Sequence, residues 1–123
     1  MLPVLRRYAP QLIIVSAGFD AHERDPLAGM LLNAPVYAAI TERLLECARS
    51  HADGRIVHLL EGGYDLDALG SGVDAVLGVL SETAAPVATA GAETGASGTA
   101  ARMARESIAA ARSALAPYWD LDA

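Results

Sequence analysis

The chain has 123 residues, a formal net charge of −6 with nine cations that are all Arg, and 53% apolar side chains. A chain of this length forms one small domain with a core and is too short for two ordinary domains. Its acidity disfavours a nucleic-acid backbone or an anionic membrane as the main partner. Because Cys47 is the single cysteine, an internal disulfide and a cysteine-based zinc cluster are both excluded.

We expect no membrane or targeting segment at the start of the chain. No apolar run approaches the roughly 20 residues that a membrane span requires. The apolar stretch that follows Arg6 and Arg7 is short and runs directly into Asp20, which is atypical of a signal peptide. We therefore expect a protein without membrane contact and with a cytoplasmic location. Residues 1–9 are expected to form one or two helical turns.

Residues 12–15, LIIV, are a continuous apolar run that is mostly β-branched. Such a run predicts a strand buried on both faces, as in a parallel sheet covered by helices. Asp20 follows just past the carboxyl end of this strand, at the edge where ligands bind in open α/β sheets. A carboxylate at that edge requires a metal, a cation or several N–H donors. The alternative is that Asp20 only caps a turn or a helix.

A helix is predicted from Asn33 to the Asp53-Gly54 turn, and a second strand over residues 55–60. Asp65 then caps another helix. The predicted inward faces are Tyr37, Ile40, Leu44, Cys47 and Ala48 in the first helix, and Leu66, Leu69, Val73, Val76, Leu77 and Leu80 in the second. The order strand, helix, strand, helix predicts an α/β fold with parallel strands and right-handed crossovers.

The second strand ends in Gly62-Gly63-Tyr64. A Gly-Gly pair lets the backbone approach a ligand closely, although a plain turn followed by a packing tyrosine explains the same residues. The two strand ends are expected at the same edge of the sheet, so Asp20 and Tyr64 face one crevice. The acid can hold a divalent cation, and the phenol can donate a hydrogen bond to charge developing on a carbonyl oxygen.

The last third of the chain changes in composition. Residues 83–100 are mostly small or polar, which predicts a flexible linker between an α/β part at residues 1–82 and a helix and tail at residues 101–123. The apolar stripe of that helix is thin, consisting of Ala104, Ile108, Ala111 and Leu115. Self-association or partner docking is therefore expected through this helix and an exposed sheet edge.

Two motifs carry a resemblance to a known family. VSAGFDAHERDPLAG, followed about one helix later by LLEGGYDLDAL, resembles the carboxyl-terminal third of the histone deacetylase superfamily over roughly residues 10–80. The resemblance is to bacterial members, including the acetoin-utilisation and acetylpolyamine amidohydrolase branches. The resemblance implies a partial arginase/deacetylase-like α/β fold. It also implies hydrolysis of an acyl-amine substrate, such as acetyl-lysine or acetylpolyamine, with one zinc ion.

The resemblance assigns roles by position. Asp20 corresponds to a zinc-binding aspartate, and Tyr64 to the tyrosine that polarises the substrate carbonyl and stabilises the oxyanion. Leu27 corresponds to a wall of the acyl-lysine channel, with Gly62 and Gly63 as the floor beside it. These assignments come from the family and not from composition or spacing.

The same family also implies that part of the site is missing. Its Asp-x-His zinc pair and its two consecutive general-base histidines lie upstream of the matched region, whereas a catalytic zinc usually has three protein ligands. We therefore expect a fragment of a deacetylase that is inactive alone and binds zinc weakly or not at all. The spacing of His22 after Asp20 mimics a ligand pair, but the family does not use that position. His58 is expected to be a satisfied core or edge histidine, and Asp25-Pro26 resembles the turn that orients the zinc loop.

Two alternatives stay open beside the deacetylase fragment. The first is a non-catalytic α/β remnant or protein-interaction module that uses the final helix. The second is dimanganese hydrolysis on the same arginase-like fold, which the Gly-Gly-Tyr turn disfavours. The substrate stays open among acetyl-lysine, acetylated polyamine and other acyl-amines.

Overall fold

The computed structural model describes residues 1–82 and 98–121. Its elements, in order, are α1 (Leu2–Tyr8), β1 (Ile13–Ala17), α2 (Ala34–His51), β2 (Ile56–Leu60), α3 (Leu66–Leu80) and α4 (Gly98–Leu115). The predicted order of strand, helix, strand and helix is confirmed. The chain divides into two compact units, Ala9–Ala88 and Met1–Tyr8 with Thr89–Ala123.

The sheet of the first unit consists of β1 and β2, which pair in parallel from Ile13 opposite Ile56 to Ala17 opposite Leu60. The prediction that the first strand is buried on both faces is wrong. Burial alternates along β1, where Ile13 is buried and Ile14 is 62% exposed. Among the described residues of this unit, the core clusters form on the face that carries Ala17 and Ile56. The apolar run of β1 has no alternation, so the sequence gives no sign that the face of the sheet opposite the core is uncovered.

The core lies between the sheet, α2 and α3, which pack against each other. The Phe19 ring packs 5.0 Å from the Tyr37 ring and contacts Val76. Cys47 is buried, as predicted. Ile40, Leu66 and Leu77 are exposed, contrary to prediction. The predicted Val76 is buried in α3 together with Ala68, Gly72 and Val79. The predicted Leu69, Val73 and Leu80 are partly buried against the core.

Polar and glycine residues end the helices largely as predicted. The Asp65 carboxylate accepts a 2.8 Å hydrogen bond from the Ala68 N–H, which confirms it as the N-cap of α3. Gly54 follows α2 with φ of +76°, a left-handed conformation that favours glycine. Asn33 is the N-cap residue of α2, although its side chain makes no capping hydrogen bond.

The second unit contains α1 and α4. An ion pair joins Arg7 of α1 to Asp120 after α4. Along α4 most side chains are exposed, including Met103 and Ile108. The helix begins at Gly98, three residues before the predicted start, and residues 83–97 of the predicted linker lie outside the described residues. None of the described helices combines the length and apolarity of a bilayer span.

Two glycines of α3 provide a test of the core. A Cβ at Gly72 would lie 2.5 Å from Cδ1 of the buried Phe19, whereas a Cβ at Gly70 meets no atom within 4 Å. Both Gly→Ala changes gain the same helix propensity. Gly72→Ala should therefore be less stable than Gly70→Ala by about 1–3 kcal/mol, the usual cost of overpacking. Urea unfolding of the two variants measures the difference, and equal midpoints would contradict the packing of Phe19 on α3.

Candidate active site at the strand ends

The two strands continue into neighbouring turns. The Phe19 N–H donates to the Gly62 carbonyl at 2.8 Å, and the Glu61 N–H donates to the Ala17 carbonyl at 3.2 Å. These bonds extend the parallel pairing past the ends of β1 and β2. The turns that carry Asp20 and Tyr64 therefore lie side by side at the carboxyl edge of the sheet.

The Asp20 carboxylate rests on two glycine backbones. A Cβ at Gly62 would lie only 2.6 Å from Oδ2 of Asp20, and a Cβ at Gly18 would lie 3.0 Å from Oδ1. The Asp20 side chain is half-buried. Any side chain at Gly62 would have to displace this carboxylate, so the position of Asp20 favours glycine there. The structure thus brings Asp20 and Gly62 together, as the sequence predicts for two residues of one site.

Gly63 fixes the path of the chain between that carboxylate and Tyr64. Its φ is +135°, and a Cβ there would lie 3.0 Å from Leu69 Cδ1 and 3.1 Å from Phe19 Cβ. Both the conformation and the crowding require glycine. The core thereby reaches the site through Phe19, while the Tyr64 side chain is 59% exposed.

Asp25 connects the two turns. Its carboxylate is 7% exposed and accepts from the Leu27 N–H at 2.9 Å through Oδ1 and from the Tyr64 N–H at 2.8 Å through Oδ2. Burial by itself raises the pKa of Asp25, but the backbone amides of Tyr64, Leu27, Ala28 and Asp65 outweigh burial and lower it. Asp25 therefore stays ionised at neutral pH, with both carboxylate oxygens engaged.

Arg24 makes a second link between the same turns. Its guanidinium forms ion pairs with Asp65 at 3.1 Å and Asp67 at 3.2 Å. The hydrogen bond to Asp67 and then the charge of Asp65 raise the pKa of Arg24. The Arg24 side chain is exposed, so water and salt screen these pairs. The buried Asp25 is therefore the stronger of the two links.

His22 has a structural role. It is buried, and its Nδ1 accepts a 3.1 Å hydrogen bond from the Arg24 N–H, which occupies the lone pair of that nitrogen. Within residues 1–82 and 98–121, no three His, Cys, Asp or Glu side chains are grouped so that they could hold a metal ion. Asp20, in its glycine cradle, fits a single zinc ligand, one of the three that a catalytic zinc usually has.

A mostly apolar cavity of about 230 Å³ lies beneath the first turn, lined by residues that include Phe19, Tyr37 and His58. The Tyr37 hydroxyl donates to the Phe19 carbonyl at 3.2 Å, and burial, followed by the charges of Asp20 and Asp25, raises its pKa. The prediction of a satisfied His58 is wrong. Its Nδ1 is buried without a partner in the described residues, and burial lowers the pKa of His58.

The sequence offered only part of the network around Asp25. An Asp-Pro pair signals a turn in which the carboxylate accepts from the amide two residues on, and the bond from Leu27 is of this kind. The bond from Tyr64 joins residues 39 apart in the chain, so no local pattern indicates it. The same is true of the ion pairs of Arg24.

A parallel α/β unit with an acid and a tyrosine in neighbouring turns at its carboxyl edge has the architecture of the α/β class, in which that edge is the usual place of ligand sites. The family comparison is more specific. The sequence model of the family described as the histone deacetylase domain matches residues 1–80 of this chain. The chain belongs to the histone deacetylase family, and its fold is a partial arginase/deacetylase-like α/β fold, as the two motifs predict.

Individual relatives agree with this family. The chain is 48% identical over 64 residues to the histone deacetylase-like amidohydrolase of Pseudomonas aeruginosa, covering 52% of this chain and 17% of that protein. It is 43% identical over 65 residues to a probable deacetylase of Archaeoglobus fulgidus, covering 53% of this chain and 18% of that protein. The crystal structure of the HDA15 HD domain superposes with a TM-score of 0.59 at 34% identity, covering 64% of this chain and 21% of that one. The chain thus spans about a fifth or less of these relatives.

The unpartnered His58 predicts a pH dependence of stability. Since burial lowers its folded-state pKa, the unfolded chain binds the proton more readily below about pH 6.5. The stability that neutral His58 contributes to the folded state is fully present above about pH 6.5. It is lost as the pH falls from about 6.5 towards the lower pKa of His58 in the folded chain. His58→Leu should make stability less sensitive to pH between 7.5 and 5.5, and should raise it by about 1–3 kcal/mol because an unsatisfied buried nitrogen is removed.

Urea unfolding at the two pH values measures both effects. Val57→Thr is the control, because Val57 lies next to His58 in β2, is exposed and does not titrate. Parallel losses of stability in the wild type and His58→Leu would show that His58 does not titrate as the structure indicates.

Proposed function

We propose that this chain supplies Asp20 and Tyr64 to the active site of a zinc-dependent deacetylase that hydrolyses acetyl-lysine or a related acyl-amine, and that it is inactive alone. The observation that carries the proposal is the contact of the Asp20 carboxylate with Gly62, two residues before Tyr64. It supports the proposal because the turns of Asp20 and Tyr64, to which we assign the metal ligand and the oxyanion donor, are then adjacent.

Each residue has a chemical role in this proposal. When bound, zinc supplies Lewis acidity towards the amide carbonyl and makes a water molecule more acidic. Asp20 would be one of its ligands. The exposed Tyr64 hydroxyl is free to reach a substrate and would donate a hydrogen bond to the carbonyl oxygen as negative charge develops on it. The remaining ligands and the general base would come from residues outside this sequence.

The turn around Tyr64 also suits an extended acyl chain. Leu27 is highly exposed, and its amide shares the Asp25 carboxylate with that of Tyr64, so the two backbones lie near each other. We assign Leu27 to an apolar wall, with Gly62 and Gly63 as a floor that presents no side chains. An uncharged acyl-amine portion fits such a lining, and the names of the Pseudomonas and Archaeoglobus relatives, an amidohydrolase and a deacetylase, support this reaction class.

A second candidate is a non-catalytic α/β unit that binds another polypeptide. It is favoured by the exposed face of the sheet, where Ile14, Val57 and Leu59 lie uncovered within the described part of the first unit. Parallel sheets are usually covered on both faces, so this face fits a further layer of protein. The deacetylase proposal requires such a layer too, and only zinc binding and turnover distinguish the two candidates.

The first experiment reconstitutes the site. We expect no chelator-sensitive deacetylation by the purified chain, and activity when it is mixed with the part of the Pseudomonas relative that precedes the matched segment. Tyr64→Phe should lower the reconstituted turnover by about a hundredfold or more, because it removes an oxyanion donor. Tyr118→Phe, at another exposed tyrosine, should not. Turnover by the chain alone, or full activity of Tyr64→Phe, would refute the proposal.

The second experiment tests the carboxylate. Gly62 does not have a positive φ, so Gly62→Ala acts only through its Cβ, which must displace Asp20. We expect the reconstituted enzyme to bind zinc about 10–100-fold more weakly, the typical cost of disturbing the support of a metal ligand. Gly29→Ala is the matched control, because a Cβ at Gly29 meets no atom within 4 Å. Zinc titration against a competing chelator measures both, and unchanged affinity in Gly62→Ala would remove Asp20 from the ligand set.

A further inference from the structure

We infer that Asp25 is the positioning residue for Tyr64. Its single carboxylate holds the backbone of the Tyr64 turn against the loop that follows Asp20, and so determines where the phenol stands relative to the candidate metal ligand. This inference rests on the proposed function, because it assigns Asp25 a part in presenting the oxyanion donor. Asp25 itself is not assigned to contact the substrate.

The geometry divides the carboxylate between two loops. Oδ1 accepts from the Leu27 N–H at 2.9 Å and closes the local turn, while Oδ2 accepts from the Tyr64 N–H at 2.8 Å in a turn 39 residues away. Both distances are in the range of charge-assisted hydrogen bonds. Since one rigid group receives both bonds, a movement of either loop changes the geometry at the other.

The surroundings make this link hard to replace. Asp25 is buried, so water cannot readily substitute for either amide donor. The neighbouring charged and titratable groups are Arg24, which is directed to Asp65 and Asp67, and the phenol of Tyr37, which interacts electrostatically with the carboxylates of both Asp25 and Asp20. The charge of Asp25 is balanced by the backbone amides that face it.

The turn needs such an anchor at Tyr64. The backbone bond from Phe19 to Gly62 and the close packing at Gly63 hold the two preceding residues but do not involve Tyr64. The Tyr64 side chain is largely exposed and so contributes little packing. The N-cap bond of Asp65 to the Ala68 N–H orders the start of α3 only after Tyr64. Between Gly63 and that cap, the bond from the Tyr64 N–H to Asp25 ties the turn to the other loop.

The test is amide NMR and hydrogen exchange on the full chain. Asp25→Asn keeps the shape but offers one oxygen to two amide donors. We expect the Tyr64 amide proton to move upfield, its exchange to accelerate roughly tenfold to a hundredfold, as for the loss of a charged hydrogen bond, and its fast backbone motion to increase. The β1 and β2 amides should keep their values. Asp67→Asn, which removes one exposed partner of Arg24, is the control and should leave Tyr64 unchanged.

Two outcomes would overturn the inference: no change at Tyr64, or the same acceleration at every amide of the unit, which indicates only general destabilisation. If Asp25→Asn does not fold, the wild-type chain decides. The amides of Leu27 and Tyr64 should then titrate with one common midpoint, and separate midpoints would refute the shared carboxylate. None of these measurements uses zinc or substrate, so their failure is distinct from failure of the reconstituted activity.

Discussion

The arrangement at the carboxyl edge depends on one ionised side chain that serves two backbones. The pairing of β1 with β2 ends at Ala17 and Leu60, and two further backbone bonds carry it on to Phe19 and Gly62. Beyond that point the chain diverges into a long loop on one side and a short glycine turn on the other. The Asp25 carboxylate rejoins these segments, because its buried charge is solvated by backbone amides from both of them. A polar contact thus joins the two turns beyond the last backbone bond between the strands.

Apolar packing from the core also contacts the turns at the carboxyl edge of the sheet. The Phe19 side chain lies against Gly63 through its Cβ and against Gly72 through its ring, so the start of the loop contacts two positions of the second half of the unit through one residue. Both contacts require a missing side chain, and Gly62 requires one for a different reason, the proximity of Asp20. Each of the three glycines therefore allows a different close approach: Gly63 that of the Phe19 Cβ to the turn, Gly72 that of the Phe19 ring to α3, and Gly62 that of the Asp20 carboxylate to the backbone. The core and the site are therefore coupled, since a shift of the Phe19 side chain in the core would also shift the glycine turn that forms the floor of the site.

Local rules predicted much of this unit. The parallel α/β order and the cap at Asp65 followed from apolar periodicity and residue types, and the family motifs placed Asp20 and Tyr64 in turns that the structure shows side by side. The rules failed where a property depends on distant residues. The exposure of Ile14 depends on whether another layer of protein covers that face of the sheet, and the sequence of β1 alone does not show this. The exposure of Leu66 and the bond from Asp25 to Tyr64 depend on how loops and helices meet, which local spacing cannot specify.

The burial of Cys47 has a practical consequence. It is the single thiol of the chain and only 2% exposed, on the face of α2 that takes part in the core. A bulky alkylating reagent can reach this sulfur only after the helix separates from its neighbours, so the labelling rate counts these openings. The alkylation rate of Cys47 therefore reports how often the α/β unit opens locally, and no engineered cysteine is needed to measure it.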